Sequence, residues 1–184
     1  VEGVLRLVLF VGYIWLIGRS EEIGRVFEFH GAEHMSIWAY EAGDPLTVDA
    51  VRSYPPEHPR CGTSFLMIVV LGSILVFSFL GQHGWVFLVL SRLLGIPVIA
   101  GASYELLRFS GLRGDGPLAR AMAAPGLWLQ KLTTRRPTDD QIEVAISSLV
   151  VALDEETFAE VAARGSVPAV ALGARRSVFD AAAG

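Results

Sequence analysis

The chain has 184 residues, which is room for one domain or for one domain and a tail. It is 52% hydrophobic and 18% charged, with a mean hydropathy of +0.48. Ordinary soluble domains carry about 25% charged residues, so a soluble globular monomer is disfavoured and disorder is excluded for most of the chain. The net charge of −4 argues against nucleic-acid binding, and the single cysteine excludes an internal disulfide or a Cys-rich zinc ribbon. The composition therefore indicates an integral membrane protein.

Three apolar runs, at about 4–18, 63–81 and 84–104, are predicted to be transmembrane helices. The second run has no charged residue and approaches the length that crosses about 30 Å of hydrocarbon. The third run contains Arg92 and Pro97, which a spanning helix tolerates where they face protein. Because only a short turn of Gly, Gln and His separates the last two runs, we expect them to form a helical hairpin.

The first run is short, and an isolated run of its length is usually a core helix or the apolar part of a signal peptide. No small-residue cleavage site follows it at residues 18–21, which disfavours a signal peptide. We therefore expect a transmembrane helix. The opening Val1 suits either a fragment that is truncated at its N-terminus or an unusual start codon.

Positive charge is distributed unequally around the three runs. Arginines lie near both ends of the 19–60 loop and follow the third run, whereas the turn between the second and third runs has no Lys or Arg. By the positive-inside rule, the 19–60 loop and the residues after about 106 face the cytoplasm. The sequence thus predicts a multi-pass protein of the bacterial inner membrane.

Two amphipathic cytoplasmic helices are predicted, at about 21–42 and 139–153. The first opens with Ser20 followed by two acids, and the second opens with a capping-box pattern. Residues 1–153 are thus expected to form a single all-α membrane domain. The stretch 154–184 is rich in Ala, Glu, Arg and Gly and is expected to be a weakly structured tail.

The first cytoplasmic helix contains the sequence His-Gly-Ala-Glu-His at residues 30–34, an H-x-x-E-H motif. His30 and His34 stand at i and i+4, so they project from one helix face and can bind the same metal ion. Glu33 adjoins them and is placed to act as a general base or an outer-shell partner, as in inverted zincins. The alternative is an exposed helix face that carries two solvated histidines.

Three further residues are expected at the same cytoplasmic edge of the membrane. His58 and Cys61 come just before the second apolar run, and Glu105 ends the third. Cys61 and Glu105 are equally far from the tip of the hairpin, so at about 1.5 Å per residue they reach nearly the same depth. Alternatively, Cys61 is a small buried hydrophobic residue, and Glu105 pairs with Arg108 at i+3. The predicted ligand pool, of which three or four members would bind, is His30, His34, His58, Cys61 and Glu105.

Five stretches match a known pattern in order: 26–34 (VFEFHGAEH), 58–65 (HPRCGTSF), 101–105 (GASYE), 125–134 (PGLWLQKLTT) and 141–146 (QIEVAI). On these stretches the chain resembles the YqhQ-like family of bacterial membrane proteins, whose function is unknown and which are commonly labelled predicted metal-dependent enzymes. The resemblance runs from the start to about Leu153. The family's longer N-terminal portion is absent, and Met35 stands where the family usually has a basic residue. The resemblance implies a membrane location and a metal site, but no substrate.

Together these observations predict a membrane-embedded metal-dependent enzyme, a hydrolase, with its site at the cytoplasmic membrane edge. Zn²⁺ is the expected divalent ion because the predicted ligands include His and Cys. One alternative is a non-catalytic oligomeric scaffold or interaction protein with a structural metal site, which would have four protein ligands rather than three. Another is an oligomeric channel or transporter that uses Arg92 and Pro97. The expected partners are the lipid bilayer and further copies of the chain, because small residues in the spans permit close helix packing.

Overall fold

The computed structural model describes residues 2–81, 84–112, 116–165 and 167–183. Over these residues the chain forms only α-helices and no strand, in agreement with the all-α class that the sequence predicts. The helices are α1 Glu2–Ile17, α2 Glu21–Ala42, α3 Val48–Arg52, α4 Gly62–Leu80, α5 Trp85–Leu112, α6 Pro117–Thr133, α7 Asp139–Ala152, α8 Glu155–Arg164 and α9 Ala169–Ala183.

Two of these helices, α4 and α5, are long and apolar enough to cross a membrane. A third span is reached only if α1 and α2 are counted together as one broken span. With 16 residues, α1 alone is about 24 Å long at 1.5 Å per residue, which is less than the roughly 30 Å of hydrocarbon in a bilayer. Length and composition therefore indicate two to three membrane helices.

The chain divides into two compact units. The first unit contains α1 and α4–α6, and it comprises the residues up to Ile17 and those from Pro59 to Leu132. The second unit contains α2, α3 and α7–α9, and it comprises Gly18–His58 and the residues from Thr133 onwards. The single domain expected over 1–153 and the tail after it stay predictions.

In the first unit, α4 and α5 pack closely because glycines on each helix face bulky side chains of the other. A Cβ on Gly72 would lie 3.2 Å from Cγ2 of Ile99, and a Cβ on Gly95 would lie 3.0 Å from the Phe77 ring. The small residues that the sequence offers for helix packing are thus partly used inside the hairpin. Gly101, in contrast, has nothing within 4 Å of the position of a Cβ.

Helix α6 also belongs to the first unit and packs against the start of α4. A Cβ on Gly126 would overlap Ser64, so the two helices approach at a residue without a side chain. The buried amide of Gln130 donates to the Ser64 hydroxyl at 2.9 Å. Both side chains are fully buried, so this hydrogen bond satisfies polar groups that have no access to water.

The core of the second unit is formed by side chains with no exposed surface on α2, α7 and the helices around them. Ser20 caps the start of α2, where its hydroxyl accepts from the Ile23 N–H at 3.2 Å. Gly43 caps the end of α2, where its left-handed φ of 79° lets its N–H reach the last carbonyls. The buried core residues are Ala32, Met35, Ala39, Leu46, Val51, Ile142, Ile146, Val150, Val161 and Ala171.

The stretch 154–184, predicted to be a weakly structured tail, contains α8 and α9 within its described residues. These helices contribute Val161 and Ala171 to the core of the second unit. Arg175 of α9 is 5% exposed and donates to the carbonyls of Val150 and Leu153 at 2.6 Å each. An arginine thus satisfies carbonyls at the end of α7 that have no partner within their own helix.

Candidate metal centre

His30 and His34 lie one turn apart on α2, and their ring centroids are 4.3 Å from each other. The helix puts the two imidazoles on one face because residues at i and i+4 lie one above the other. His30 is half-buried, and His34 is 6% exposed. The rings therefore form a preassembled pair rather than the two solvated side chains of the alternative interpretation.

The Nδ1 atom of His30 lies 2.9 Å from the backbone carbonyl oxygen of Thr133. A carbonyl oxygen can only accept a hydrogen bond, so Nδ1 must carry the proton and donate it. In a neutral imidazole this fixes the tautomer and leaves the lone pair on Nε2. Nε2 is accordingly the atom of His30 that can act as a metal ligand.

His34 has the same arrangement with a different carbonyl. Its Nδ1 lies 2.7 Å from the carbonyl oxygen of Pro56, which again leaves the lone pair on Nε2. Metal-ligating histidines in proteins almost always donate their other ring N–H to a carbonyl, a carboxylate or water. Both histidines of the motif therefore have the outer hydrogen bond that is typical of a metal ligand.

Gly31 explains how both carbonyls come so close to α2. A Cβ at this position would overlap the carbonyl oxygen of Arg135 and would lie 3.3 Å from Cβ of Pro56. The N–H of Arg135 also donates to the Phe27 carbonyl at 2.9 Å, which holds the segment after α6 on the helix. The glycine of the motif thus makes room for the two segments that fix the histidines.

His58 continues the row of rings in the second unit. It is 3% exposed, and its ring centroid lies 5.9 Å from that of His34 and 4.6 Å from Trp38. Its Nε2 lies 3.4 Å from a carboxylate oxygen of Glu41. Trp38 donates its indole N–H to the Glu57 carbonyl at 2.9 Å, which fixes the chain next to His58.

Cys61 is the N-cap residue of α4. Its sulfur accepts from the Thr63 N–H at 3.4 Å, and the side chain is half-buried. The N-terminus of a helix favours negative charge, which suits an anionic sulfur ligand. Cys61 belongs to the first unit and His30 and His34 to the second, so its part in a His/His/Cys group rests on the sequence prediction.

The two predicted carboxylates, Glu33 and Glu105, lie in different units. Glu33 is exposed and lines a groove against α7 together with Phe29 and Ile37. Its place next to His34 in the sequence turns it to a different side of α2, because adjacent helix residues are about 100° apart. Glu105 is 66% exposed and lies 3.6 Å from Arg108, which is the i,i+3 ion pair of the alternative interpretation. The roles that the sequence assigns to these two residues stay predictions.

Comparison of the sequence with known proteins identifies a family. The model of a family described as "Protein of unknown function (DUF1385)" matches residues 1–155. The chain belongs to this family. It is also 38% identical, over 160 residues, to the "Uncharacterized protein YqhQ" of Bacillus subtilis (strain 168). The resemblance to YqhQ-like proteins is therefore confirmed.

The alignment with YqhQ covers 87% of this chain but 50% of the relative, so the chain spans about half the length of the curated relative that it matches. No solved structure matches the chain. Within the DUF1385 family region lie both histidines of the motif, His58 and Cys61. Neither the description of the family nor the name of the relative states an activity.

Three parts of the site are missing from the prediction. The Thr133 and Pro56 carbonyls are backbone groups, which no pattern of side chains reveals. Trp38 gives no signal in the sequence beyond its place in the helix predicted at about 21–42. Glu41 did give a signal, since it lies at i+7 from His34 and shares a face of α2 with the histidines.

Proposed function

We propose that this member of the DUF1385 family is a membrane protein that binds a divalent transition metal through His30, His34 and Cys61. The observation that carries the proposal is the pair of carbonyl-backed imidazoles, with Nδ1 of His30 on Thr133 and Nδ1 of His34 on Pro56. Two imidazole nitrogens and one thiolate are a ligand set that zinc prefers, so Zn²⁺ is the proposed ion.

His58 and Glu41 have a supporting role in this proposal. The carboxylate lies 3.4 Å from Nε2 of His58, so it faces that imidazole and favours one orientation of the ring. His58 packs against His34 and Trp38, which limits the positions that the His34 ring can take. Outer partners of this kind are typically worth a factor of about 10–100 in metal affinity.

We further propose that the site is catalytic and that the reaction is a hydrolysis. Three protein ligands leave a fourth position on zinc for water or substrate, and zinc in such sites lowers the pKa of water and polarises carbonyl or phosphoryl oxygens. The proton-accepting pair offered by this chain is His58 with Glu41, instead of the Glu33 suggested by the motif. The substrate class is not assigned.

A structural metal site is the second candidate, and the burial of His58 favours it. At 3% exposure and with its centroid 5.9 Å from His34, His58 could serve as a fourth protein ligand after a small movement. A closed shell of four protein ligands stabilises a fold and leaves no position for substrate. Counting nitrogen and sulfur ligands by X-ray absorption of the zinc-loaded protein separates three protein ligands from four.

The location of the site is also a proposal. In the inner membrane, the positive-inside rule puts the turn between α4 and α5 outside and residues 19–60 in the cytoplasm. The His/His/Cys group would then face the cytoplasm, where a thiol stays reduced. Homo-oligomers would have to form through surfaces other than Gly72 and Gly95, which are in contact inside the hairpin.

The metal is tested by purifying the wild type and three variants and measuring zinc per chain. We expect about one zinc per wild-type chain, loss of most of it in His34→Ala, and a reduced content in Cys61→Ser, whose hydroxyl still caps α4. Glu105→Gln is the matched control, because it removes a predicted ligand that pairs with Arg108, and it should retain the metal.

A second measurement separates loss of a ligand from loss of the fold. Loading with Co²⁺ should produce a sulfur-to-metal charge-transfer band in the wild type and in Glu105→Gln, but not in Cys61→Ser. All four proteins should have the same helical circular dichroism. Absence of zinc and of the cobalt band from folded wild-type protein would refute the metal site in both its catalytic and its structural form.

A further inference from the structure

Arg92 is the one formally charged residue between Gly62 and Tyr104. It lies on α5, one of the two helices that are long and apolar enough to cross a membrane. An arginine within a membrane helix is costly unless it finds a partner, and such residues are usually functional. A partner that neutralises the charge of Arg92 is therefore expected.

The contacts of Arg92 within the hairpin are a ring and a hydroxyl. Its guanidinium carbon lies 3.8 Å from the centroid of the Phe77 ring, and its Nη1 lies 3.5 Å from Oγ of Ser91. A cation–π contact attracts the charge but leaves it in place. Among the residues that the structure describes, no carboxylate forms an ion pair with Arg92.

The guanidinium group lies near the end of the hairpin that carries the turn. Side chains on a helix lean towards its N-terminus, which for α5 is the end at Trp85. The Phe77 ring that it covers belongs to the last turn of α4, which ends at Leu80. A long arginine side chain in this position can reach the layer of lipid head groups while its stem stays in hydrocarbon.

An apolar groove of about 610 Å³ surrounds the stem of Arg92. Its residues follow one face of α5 at helical spacing, and Leu93 in the groove is 66% exposed. Beyond Arg92 the groove continues towards the middle of the helix, where Pro97 interrupts the backbone hydrogen bonds. The residues of this Arg92 groove are Leu88, Val89, Arg92, Leu93, Ile96 and Pro97.

A second copy of the chain is a poor occupant for the Arg92 groove. A two-fold dimer through this face would bring Arg92 next to its own copy, which like-charge repulsion opposes. The hairpins cannot provide a counter-charge in any other pairing either, because Gly62–Tyr104 contains no Asp or Glu. The groove instead suits a ligand that has one negative charge at the head-group layer, joined to a flexible apolar chain.

We propose that the Arg92 groove binds an anionic phospholipid of the leaflet next to the α4–α5 turn. The guanidinium group pairs with the lipid phosphate, for which its fork of N–H donors is well suited. One acyl chain lies along Leu93 and Ile96 towards Pro97. This inference depends on the hairpin crossing a membrane and is independent of the proposed metal.

The test uses the whole chain, purified in detergent and reconstituted with equal amounts of phosphatidylglycerol and phosphatidylcholine. Native mass spectrometry then counts the lipids of each class that stay bound. We expect the wild type to prefer phosphatidylglycerol and Arg92→Met to lose roughly tenfold in that preference, as removal of a charged hydrogen-bonding partner predicts. Arg92→Lys should keep most of it. Arg108→Met is the matched control on α5 and should behave as the wild type does.

A variant that fills the groove provides an independent measurement. Leu93→Trp replaces an exposed side chain, so it should leave the fold intact but reduce the number of retained phosphatidylglycerol molecules. Equal lipid preference in the wild type and Arg92→Met would overturn the proposal. So would displacement of the lipid by millimolar inorganic phosphate, which would indicate a site for the free anion, or a loss of oligomers in Arg92→Met, which would indicate a second copy. Unchanged zinc content in these variants distinguishes this outcome from failure of the metal proposal.

Discussion

The α4–α5 hairpin and the core of the second unit contain the same apolar residue types but put them in opposite environments. Ile142, Ile146 and Val150 of α7 have no exposed surface, whereas Val98 of α5 is 70% exposed. In water such a hairpin would be unstable, but in a bilayer the exposed side chains have lipid as their solvent. The high mean hydropathy of the chain therefore has two sources, which are the exposed apolar surface of the hairpin and the buried apolar core of the second unit.

Polar residues also behave differently in the two regions. In the second unit, His34 is buried and its ring N–H is held by a backbone carbonyl. In the hairpin, the guanidinium group of Arg92 contacts the ring of Phe77. The first arrangement prepares a side chain for a ligand that fits a fixed position. The second leaves a charge for which the surrounding membrane contains abundant partners.

The largest expected difference between the regions concerns one residue type at two positions. Ile146→Ala removes a fully buried side chain of α7 and should lower the free energy of unfolding by about 2–5 kcal/mol. Ile96→Ala removes a side chain of α5 that is 49% exposed and should change it by less than about 1 kcal/mol. Denaturant titration of both variants in the same detergent measures the contrast.

The same pair of variants can also break the comparison. If Ile96→Ala costs as much as Ile146→Ala, the exposed face of α5 is covered by another protein surface, and lipid is not its solvent. Crosslinking of the two variants would then show whether the covering surface is a further copy of the chain.

A smaller contrast is expected between two helical glycines. Gly31→Ala adds a Cβ that overlaps the Arg135 carbonyl and crowds Pro56, which should cost about 1–3 kcal/mol of stability. Because the same two segments hold His30 and His34, zinc affinity should fall by roughly 10–100-fold. Gly101→Ala has nothing within 4 Å of the new methyl group and should leave zinc binding unchanged and the helix equally or more stable.

The affinity is measured by competition of each variant with a fluorescent zinc chelator. Unaltered zinc affinity in a destabilised Gly31→Ala protein would contradict the idea that the carbonyls position the ligands. It would leave the close contact between α2 and the segment after α6 as a purely structural feature.

Much of the helical organisation could be predicted because hydropathy and capping are local properties of the sequence. The uncharged run before Leu80 and the Ser20 cap each determine a helix without reference to the rest of the chain. The helices after Asp154 were missed because their stability comes from distant partners. Arg175 is an example. Its charge is typical of a surface residue, but in the structure its guanidinium group donates to carbonyls at the end of α7.

The site was predictable only in part, and for a related reason. The i,i+4 spacing of His30 and His34 is visible in the sequence, and both imidazoles have a backbone carbonyl at Nδ1 within the second unit. Helical spacing also puts Glu33 on a different side of α2 from His34, but only the packed structure shows that this side faces α7. For Glu105, the nearby Arg108 offered a local partner, and that partner is the one found in the structure.

The smallest expected effect concerns acid, and it again distinguishes the two regions. The hairpin has no carboxylate between Gly62 and Tyr104, and Glu105 near the end of α5 is exposed in its pair with Arg108, so protonation of acids should change its stability little. In the second unit, the N–H of Thr157 donates to the Asp154 carboxylate at 2.7 Å and lowers the pKa of that group below its ordinary value of 3.8. A lowered pKa in the folded state means that the ionised form stabilises the fold. This contribution is present above the ordinary pKa and is lost as the pH falls below it.

Asp154→Asn isolates the charge, because the amide oxygen still caps α8 but does not titrate. We expect the melting temperature of the wild type to fall more steeply than that of Asp154→Asn between about pH 5 and pH 3, since only the wild type has this carboxylate to protonate. The difference should be small because Asp154 is solvent-exposed and its charge is screened. Parallel melting curves of the two proteins over this range would mean that another carboxylate carries the acid response of the second unit. An acid-sensitive transition of the hairpin alone would mean that the Glu105–Arg108 pair stabilises α5 more than an exposed ion pair usually does.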